Sequence, residues 1–402
     1  MLPQSIPEIL RMPLENLCLQ IKSMREDVDV KEYLSLVLDP PEAKAIDVAW
    51  ETLELVGAVE DGGMSARLTP MGTYLALLPV DLRLGKMLLL ASIFGCLDPI
   101  LTVAAILSNK PLFNNPMEAR DEAKAARMKF FRGNSDLLTD VQAYNEAMRI
   151  RREAGMAGMR RFCDENFISI SAIRDIGTLR QEFLQAFENI SNSPLKGSSS
   201  TKSIASAEEN LLKSIIFAGL GFMKLCKVKL PNLKFEKSAG GNLAKEMESR
   251  EVKVFEREGE QPIDAQLCLS ARSERVFLHP ASTMFSFVNY GSPFLTYFSK
   301  SVTTKPFLRD GTEVPTYGVL LFGGKLRRVD ITGGGLVVTG KNERDDFIRF
   351  RAWSRIGVLV NQLRKLLDAE LRDRFEYGSI NDISETSVVQ VMKSLLVQDG
   401  AD

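Results

Sequence analysis

The period of the apolar residues changes midway along this chain, and that change constrains the fold more than any single motif does. From Met71 to about Asn189 apolar residues recur at helical spacing. Leu82, Met87, Leu88 and Ala91 mark one face and Ile100, Val103, Ala104 and Leu107 another, with Gly95 to Pro99 (GCLDP) as punctuation between them. Beyond a small polar run at Ser191 to Ser206, apolar residues instead come in short alternating runs broken by Pro, Gly, Asn and Asp. The clearest case is Arg275 to Gly324, where Val276 and Leu278, Leu295 and Tyr297, and Val319 and Leu321 alternate as strands would. The chain is therefore expected to be multidomain α+β. Residues 191–206 are read as a flexible linker between its helical and β-rich parts.

Ahead of the helical stretch the pattern reads helix, helix, helix, hairpin. Leu14, Leu17, Cys18 and Ile21 share a face after Pro13. A further amphipathic helix starts behind Pro40-Pro41 with Ala45, Ala49, Leu53 and Val56 inward and Gly57 as its stop. Ala58-Val59, a turn at Asp61-Gly62-Gly63 and Arg67-Leu68-Thr69 then read as a two-stranded hairpin. Helices followed by such a wing predict a winged-helix domain over residues 5–75 and a helical bundle over residues 76–190. Within the bundle, Met117 to Phe130 carries Arg120, Lys124, Arg127 and Lys129. Asn134-Ser135-Asp136 offers an N-cap to a helix running toward Arg152. Cations on such helices either face solvent or line a nucleic-acid path.

The β-rich part, residues 207–352, is predicted to begin with a helix from Glu208 to Phe217. Strands are expected at Met223 to Leu230, Val252 to Glu256, Gln266 to Leu269 and through Arg275 to Gly324, with Lys237 to Glu248 as a mobile loop. About five short strands and a helix suit a small oligonucleotide-binding (OB) type barrel. After Trp353 the helical period returns, and Ile356, Leu359, Val360, Leu363, Leu366 and Leu367 predict one long helix packing back on the barrel. A short helix at Ser387 to Val397 completes a C-terminal extension, residues 353–402.

The Arg275 to Gly324 stretch holds the only histidine, His279, and sets Lys300, Lys305 and Arg309 beside Tyr297, Phe298 and Phe307. Phosphates want positive charge and bases want flat apolar faces, so this mixture on strands suits a single-stranded nucleic acid. A half-buried sheet with a charged outer face gives the same pattern, and both readings stand at this point. Whole-chain charge does not choose between them, because 51 Lys and Arg balance 52 Asp and Glu. Five scattered cysteines with no CxxC pair exclude the usual zinc spacings and suggest reduced thiols. No apolar run is long enough to span a membrane. Gly335 to Asn342 has the spacing of a phosphate-binding P-loop, but Asn342 stands where a magnesium-holding hydroxyl belongs. Phe347 to Phe350 reads as a strand rather than the required helix, so a hairpin is expected. His279-Pro280 is expected to be a hydrogen-bonded corner, and no catalytic set emerges.

Several stretches, in order, resemble the C-terminal region of DEAH-box RNA helicases, in particular a subgroup acting in ribosome scanning or quadruplex unwinding. They are PEILRMPLENLCLQI (Pro7 to Ile21), LDPP (Leu38 to Pro41), LTPMGTYLALLP (Leu68 to Pro79), GKMLLLASIFGCLDPIL (Gly85 to Leu101), NSDLL (Asn134 to Leu138), CDENFIS (Cys163 to Ser169), VFLHPAS (Val276 to Ser282) and LLFGG (Leu320 to Gly324). The resemblance implies a winged helix, a ratchet-like bundle and an OB barrel. It also implies a motor, upstream in that family, with a Gly-Lys-Thr loop and an Asp-Glu-Ala-His box; neither is present in this chain. ATP and Mg are accordingly expected only with the motor domains, with no cofactor in this chain. Leu137 departs from the histidine common in relatives.

By that resemblance the chain is an accessory module without a catalytic centre, and single-stranded RNA runs between bundle and barrel. The contacts implied are Arg120, Ser135, Asp136 and Arg180 on the bundle side and His279, Lys305, Phe307 and Arg309 on the barrel side. The implied partners are motor domains in cis and activator or ribosomal proteins, in the cytoplasm or alternatively the nucleus. The rival is a protein-docking module with no RNA binding of its own.

Overall fold

The helical stripes read from the sequence bury against one another, and the computed structural model shows how. It describes residues 13–60, 62–191, 208–229, 233–238, 241–247, 253–257, 273–285, 289–329, 335–339, 348–351, 354–377 and 386–399. The Ser191 to Ser206 linker beyond its first residue, the Gln266 to Leu269 strand, Gly340 to Phe347 and Pro7 to Met12 lie outside these residues.

Helices α1 (Leu14–Met24), α2 (Val30–Ser35) and α3 (Ala43–Val56) place Cys18, Leu34 and Trp50 in the main core. Asp29 caps α2 by accepting from the Lys31 and Glu32 amides. Gly57 ends α3 at φ 80°, a left-handed conformation that favours glycine. Ala45, expected inward, is exposed, and Ile46 and Trp50 take the inner face. The expected two-stranded wing reduces to one antiparallel bridge, Val59 to Leu68, around a 3-10 turn at Gly63–Ser65. The reason is steric: α4 (Pro70–Leu77) follows at once, and its Gly72 presses on the Ala58 carbonyl where longer strands would run.

The bundle continues with α5 (Leu82–Ile93), α6 (Leu97–Leu107), α7 (Arg120–Met128), α8 (Asp136–Glu165) and α9 (Ile170–Ser191). Helix α10 (Glu209–Leu220) is buried from Leu211 onward. It packs on α5 so closely that a side chain on Gly219 would strike Met87. It thereby anchors the sheet that follows.

That sheet is formed by β1 (Leu225–Lys229), β4 (Lys253–Arg257), β5 (Ser273–Leu278), β6 (Phe294–Thr296), β7 (Ser299–Val302), β8 (Pro306–Arg309) and β9 (Thr312–Glu313). The intervening β2 (Leu233–Ser238) and β3 (Gly241–Met247) form a separate hairpin, with Ser238 opposite Gly241, where the sequence predicts a mobile loop. The seven strands run β7-β8-β5-β4-β1-β6-β9, antiparallel except for the parallel pair β5 and β8. The sheet curls into an open half-barrel, in keeping with the expected OB type. Its concave face buries Cys226, Val228, Val254, Val276, Leu278, Leu295, Tyr297 and Leu308.

Val319 and Leu321, predicted on a strand, lie in α11 (Thr316–Phe322), which Pro315 starts and Gly323 ends. Gly318 to Leu321 are all buried, so the apparent alternation was part of a continuous apolar run. Strands β10 (Lys325–Val329), β11 (Gly335–Thr339) and β12 (Ile348–Arg351) make a second antiparallel sheet with β11 in the middle. Residues 335–339 are thus a strand paired on both sides, and the rest of the glycine-led motif, Gly340 to Asn342, lies outside the described residues. Helix α12 (Ser354–Tyr377) lies against α4 as well as β10 and β11, and α13 (Ser387–Gln398) against α10. Of the six apolar residues assigned to one face of α12, Leu367 is buried, while Val360 and Leu363 are half-buried on the core. Ile356, Leu359 and Leu366 are exposed.

Candidate nucleic-acid interface

The outer face of the half-barrel follows from strand parity. Val276, Leu278 and Leu308 point into the core, so Arg275 and Phe277 on β5 and Phe307 and Arg309 on β8 point out, with His279 continuing the row one residue past β5. The parallel register sets Phe277 opposite Phe307, and the antiparallel one sets Phe307 opposite Ser301 and Arg309 opposite Ser299. On the other side Phe255 of β4 faces Arg275. The result is a strip of aromatics, cations and small hydroxyls.

The rings of Phe277 and Phe307 lie 6.3 Å apart, and His279 meets Phe307 edge-on at 5.9 Å. Arg275 and Lys305 both sit on Phe277, at 4.8 and 4.7 Å from its centroid. Such contacts hold the cations in place without neutralising them. They also occupy the ring, so a base can stack on Phe277 only by displacing one of them. His279 Nδ1 accepts from the Ala281 amide at 3.1 Å, while Nε2 stands 2.8 Å from Nη2 of Arg309. A neutral imidazole has one lone pair and cannot accept from both donors. Burial and the Arg309 charge hold the His279 pKa below its usual value, which keeps the ring neutral. The tautomer sets which of the two donors that lone pair serves, and among the described residues no carboxylate forms an ion pair with the exposed Arg309. The strip can take anions along its length.

Ser135 and Asp136 have a different setting. Ser135 caps α8 by accepting from the Leu138 amide at 3.1 Å, as its sequence context predicts. Its hydroxyl also meets Thr312 Oγ1 at 2.8 Å, and the backbone here bridges to β9 as an added edge partner. Asp136 is 1 % exposed. Its Oδ1 accepts from the amide and hydroxyl of Thr283 at 2.8 and 2.7 Å, and its Oδ2 from Ser282 Oγ at 2.7 Å and the Gly311 amide at 3.1 Å. Arg127 of α7 donates to Asp140 and, through Nη1, to the Ala281 carbonyl at 2.9 Å. Burial pushes the Asp140 carboxyl up to about 7 against the pull of Arg127, and pushes Asp310 up to about 6 with Asp136 adding to it. Glu313 closes the cluster by accepting from Asn134 and the Gly291 amide, with Lys213 3.4 Å away. This is a densely hydrogen-bonded polar seam joining bundle to half-barrel.

Arg180, on α9, is far from both sets. It donates to Thr102, to Asp98 Oδ1 at 2.6 Å and to the Asp98 carbonyl at 2.9 Å, and it lies over the Tyr144 ring at 5.8 Å. Arg120 begins α7 and is exposed, and it forms no hydrogen bond or ion pair with the strip among the described residues. The structure thus brings His279, Lys305, Phe307 and Arg309 together, sets Ser135 and Asp136 beneath them in the seam, and leaves Arg120 and Arg180 elsewhere. Sequence reasoning missed Phe277, Arg275 and Phe255, although the parity of RVFLH carries the signal for the first two. No sequence signal marks Thr283 or Glu313 as partners of the NSD turn.

The first three helices and their bridge contrast electrostatically with the strip. Residues 13–69 hold five Lys or Arg against twelve Asp or Glu. Met24, Leu36 and Leu38 are more than four-fifths exposed among them. Among the described residues no group of side chains could hold a metal ion, and no helix is long and apolar enough to cross a membrane.

Three family models match separate parts of the chain. Residues 81–166 match a ratchet-like helicase associated domain (HA2), residues 212–326 an oligonucleotide/oligosaccharide-binding (OB)-fold, and residues 344–398 a C-terminal domain in RNA helicases. The relatives found include a protein of Mycosarcoma maydis classed as a DEAH-box ATP-dependent helicase, 41% identical over 100% of this chain and 26% of its own length. The ATP-dependent RNA helicase dhx29 of Xenopus laevis is 32% identical over 98% of this chain and 26% of its own. The DExH-box ATP-dependent RNA helicase DExH1 of Arabidopsis thaliana is 30% identical over 97% and 35%. The chain spans about a quarter to a third of the length of these relatives.

Proposed function

We propose that this chain, which carries the helicase-associated, OB-fold and C-terminal modules found in DEAH-box RNA helicases, holds single-stranded RNA on the outer strip of its half-barrel and couples strand movement to a motor. In this reading ATP and Mg are handled by motor domains acting in cis, in the part of the relatives that this chain does not span. The observation that carries the proposal is the half-buried row Arg275, Phe277, His279 alongside Phe307, flanked by the exposed cations Lys305 and Arg309, with which no carboxylate forms an ion pair among the described residues. Arg309 and Lys305 take phosphates, and Ser299 and Ser301 lie where sugar hydroxyls would pass. Phe277 is already covered by cations, so the strip grips the backbone more than the bases and tolerates any sequence.

Ser135 and Asp136 act here as supports, fixing the 280–285 loop and Asp310 beneath the strip, and Arg180 acts within the bundle. Arg120 extends the path only if the strand passes α7. A filter-binding titration with oligouridine at low salt tests the proposal. Binding that weakens about 10-fold in Lys305→Ala/Arg309→Ala supports it, and binding indifferent to that change contradicts it.

The acidic N-terminal unit favours a second role for that part alone. Its charge repels phosphate, and its exposed Met24, Leu36 and Leu38 suit a protein contact, so we assign it to docking of motor or activator segments as a winged helix with a vestigial wing. The compartment in this reading is the cytoplasm, with the nucleus as alternative.

A further inference from the structure

Strand parity carries the outer face of the half-barrel past the residues already placed on it. Val228 on β1 and Val254 on β4 point into the core, so Lys227 and Lys229 on β1 and Lys253 and Phe255 on β4 point out, on the same side as Phe277 and Phe307. The antiparallel register sets Lys229 directly opposite Lys253, and Lys227 opposite Phe255, which in turn faces Arg275. One residue beyond the pair of Val254 and Val276, Lys253 comes level with Phe277. A transverse row therefore reads Lys229, Lys253, Phe277, Phe307, Ser301 over the adjacent strands β1, β4, β5, β8 and β7. Beside it runs the shorter row Lys227, Phe255, Arg275.

The first pair in the long row is the anomaly. Like charges directly opposite on neighbouring strands repel, and they lower the stability of a sheet. Lys229 and Lys253 are both exposed, and among the described residues no carboxylate forms an ion pair with either. Neither rests on a ring as Arg275 and Lys305 rest on Phe277. An anion between the two ammonium groups turns that repulsion into attraction.

The rest of the face says what kind of anion fits. Phe294 of β6, opposite Lys227, is buried and packs on Phe350 of β12 with ring centroids 5.5 Å apart. The second sheet thus walls the face at β6, and the open path leads from β1 toward β7. Five strands at the usual spacing span about 19 Å. That length, with cations at both ends and two aromatics between, suits a single strand on the order of four nucleotides long, at the short end for an OB fold.

We infer that Lys229 and Lys253 clamp one phosphate of a single-stranded RNA and so fix the line on which it crosses the half-barrel, at right angles to the strands from β1 to β7. The inference rests on the strip reading above and adds to it an anchor and a footprint.

The test uses the whole chain and octauridine, titrated across salt concentration. Lys229→Gln/Lys253→Gln is expected to weaken binding about 5- to 10-fold and to lower the slope of log affinity against log salt by about 0.7, the value for one phosphate. It should melt at or above the parent's temperature, because the repulsion is gone. Lys229→Arg/Lys253→Arg is expected to retain binding, since charge rather than packing is at work. Combined with Lys305→Ala/Arg309→Ala, the glutamine changes should add their loss to that variant's, both sets touching one bound strand. Indifference to Lys305→Ala/Arg309→Ala alone would be the failure of the strip reading, whereas indifference to the glutamine changes alone would be the failure of the clamp. Octauridine affinity within two-fold of the parent in the glutamine variant overturns the inference. So does an equal loss in the arginine variant, or a loss seen with a blunt RNA duplex and not with octauridine.

Discussion

The seam under α8 and the strip on β5 and β8 are built from the same kinds of residue, and both lie along the stretches singled out for RNA contact. Their surroundings separate them. In the seam, four donors saturate a carboxylate that is 1 % exposed, and Arg127 with Asp140 and Lys213 with Glu313 form ion pairs beside it. On the strip, Lys305 and Arg309 stand in solvent with an aromatic ring and a neutral imidazole as neighbours. A charge that has used up its hydrogen bonds inside the protein supports structure, whereas one resting on an aromatic keeps its field for a ligand.

Substitution in the seam should show the largest effect. Asp136→Ala strands the Thr283 and Gly311 amides and two hydroxyls in a buried site, and is expected to cost about 3 to 5 kcal/mol in denaturant unfolding. An Asp136 variant that melts like the parent yet loses RNA would make the seam part of the binding surface and dissolve the distinction. Arg180→Ala comes next. It removes the contacts to Asp98 and Thr102 between α6 and α9, and should cost about 1 to 3 kcal/mol while leaving RNA affinity alone. A fall in affinity without a fall in stability would move Arg180 to the ligand side.

The smallest effect expected is on pH dependence. Burial raises the folded Asp310 carboxyl to about 6, above its unfolded value. Between about pH 4 and 6 the unfolded chain has therefore released a proton that the folded chain retains, and stability falls as pH rises through that window. Asp140, raised to about 7, extends the fall. Asp310→Asn keeps a residue that tolerates the local φ of 57° and should flatten the slope by of order 1 kcal/mol. An unchanged melting profile from pH 4 to 7 would show that the seam does not hold Asp310 out of water.

Much of the fold was legible because period and punctuation are local. Gly57 and Ser135 cap the helices their positions predict, the stripes of α1, α5 and α6 are buried, and the strand parity of RVFLH was on the page. What could not be read was set by contacts distant in sequence. Gly72 against Ala58 cuts the wing short, and burial on every side makes a helix of Thr316–Phe322. The seam was hidden for the same reason, since the partners of Asp136 lie 146 to 175 residues away. Lys22 is a further case: its ammonium is caged by the carbonyls of Glu26, Val28 and Ser65, a role invisible in a helix that reads simply as amphipathic.

The salt dependence of oligouridine binding by the parent chain and by Lys305→Ala/Arg309→Ala, taken alongside their melting curves, tests the central claim most directly. Removing two phosphate contacts from a single strand should lower the slope of log affinity against log salt by about 1.4 and weaken binding about 10-fold, with both proteins melting together. Parallel salt lines with equal affinity would contradict the assignment of RNA to the β5 and β8 strip.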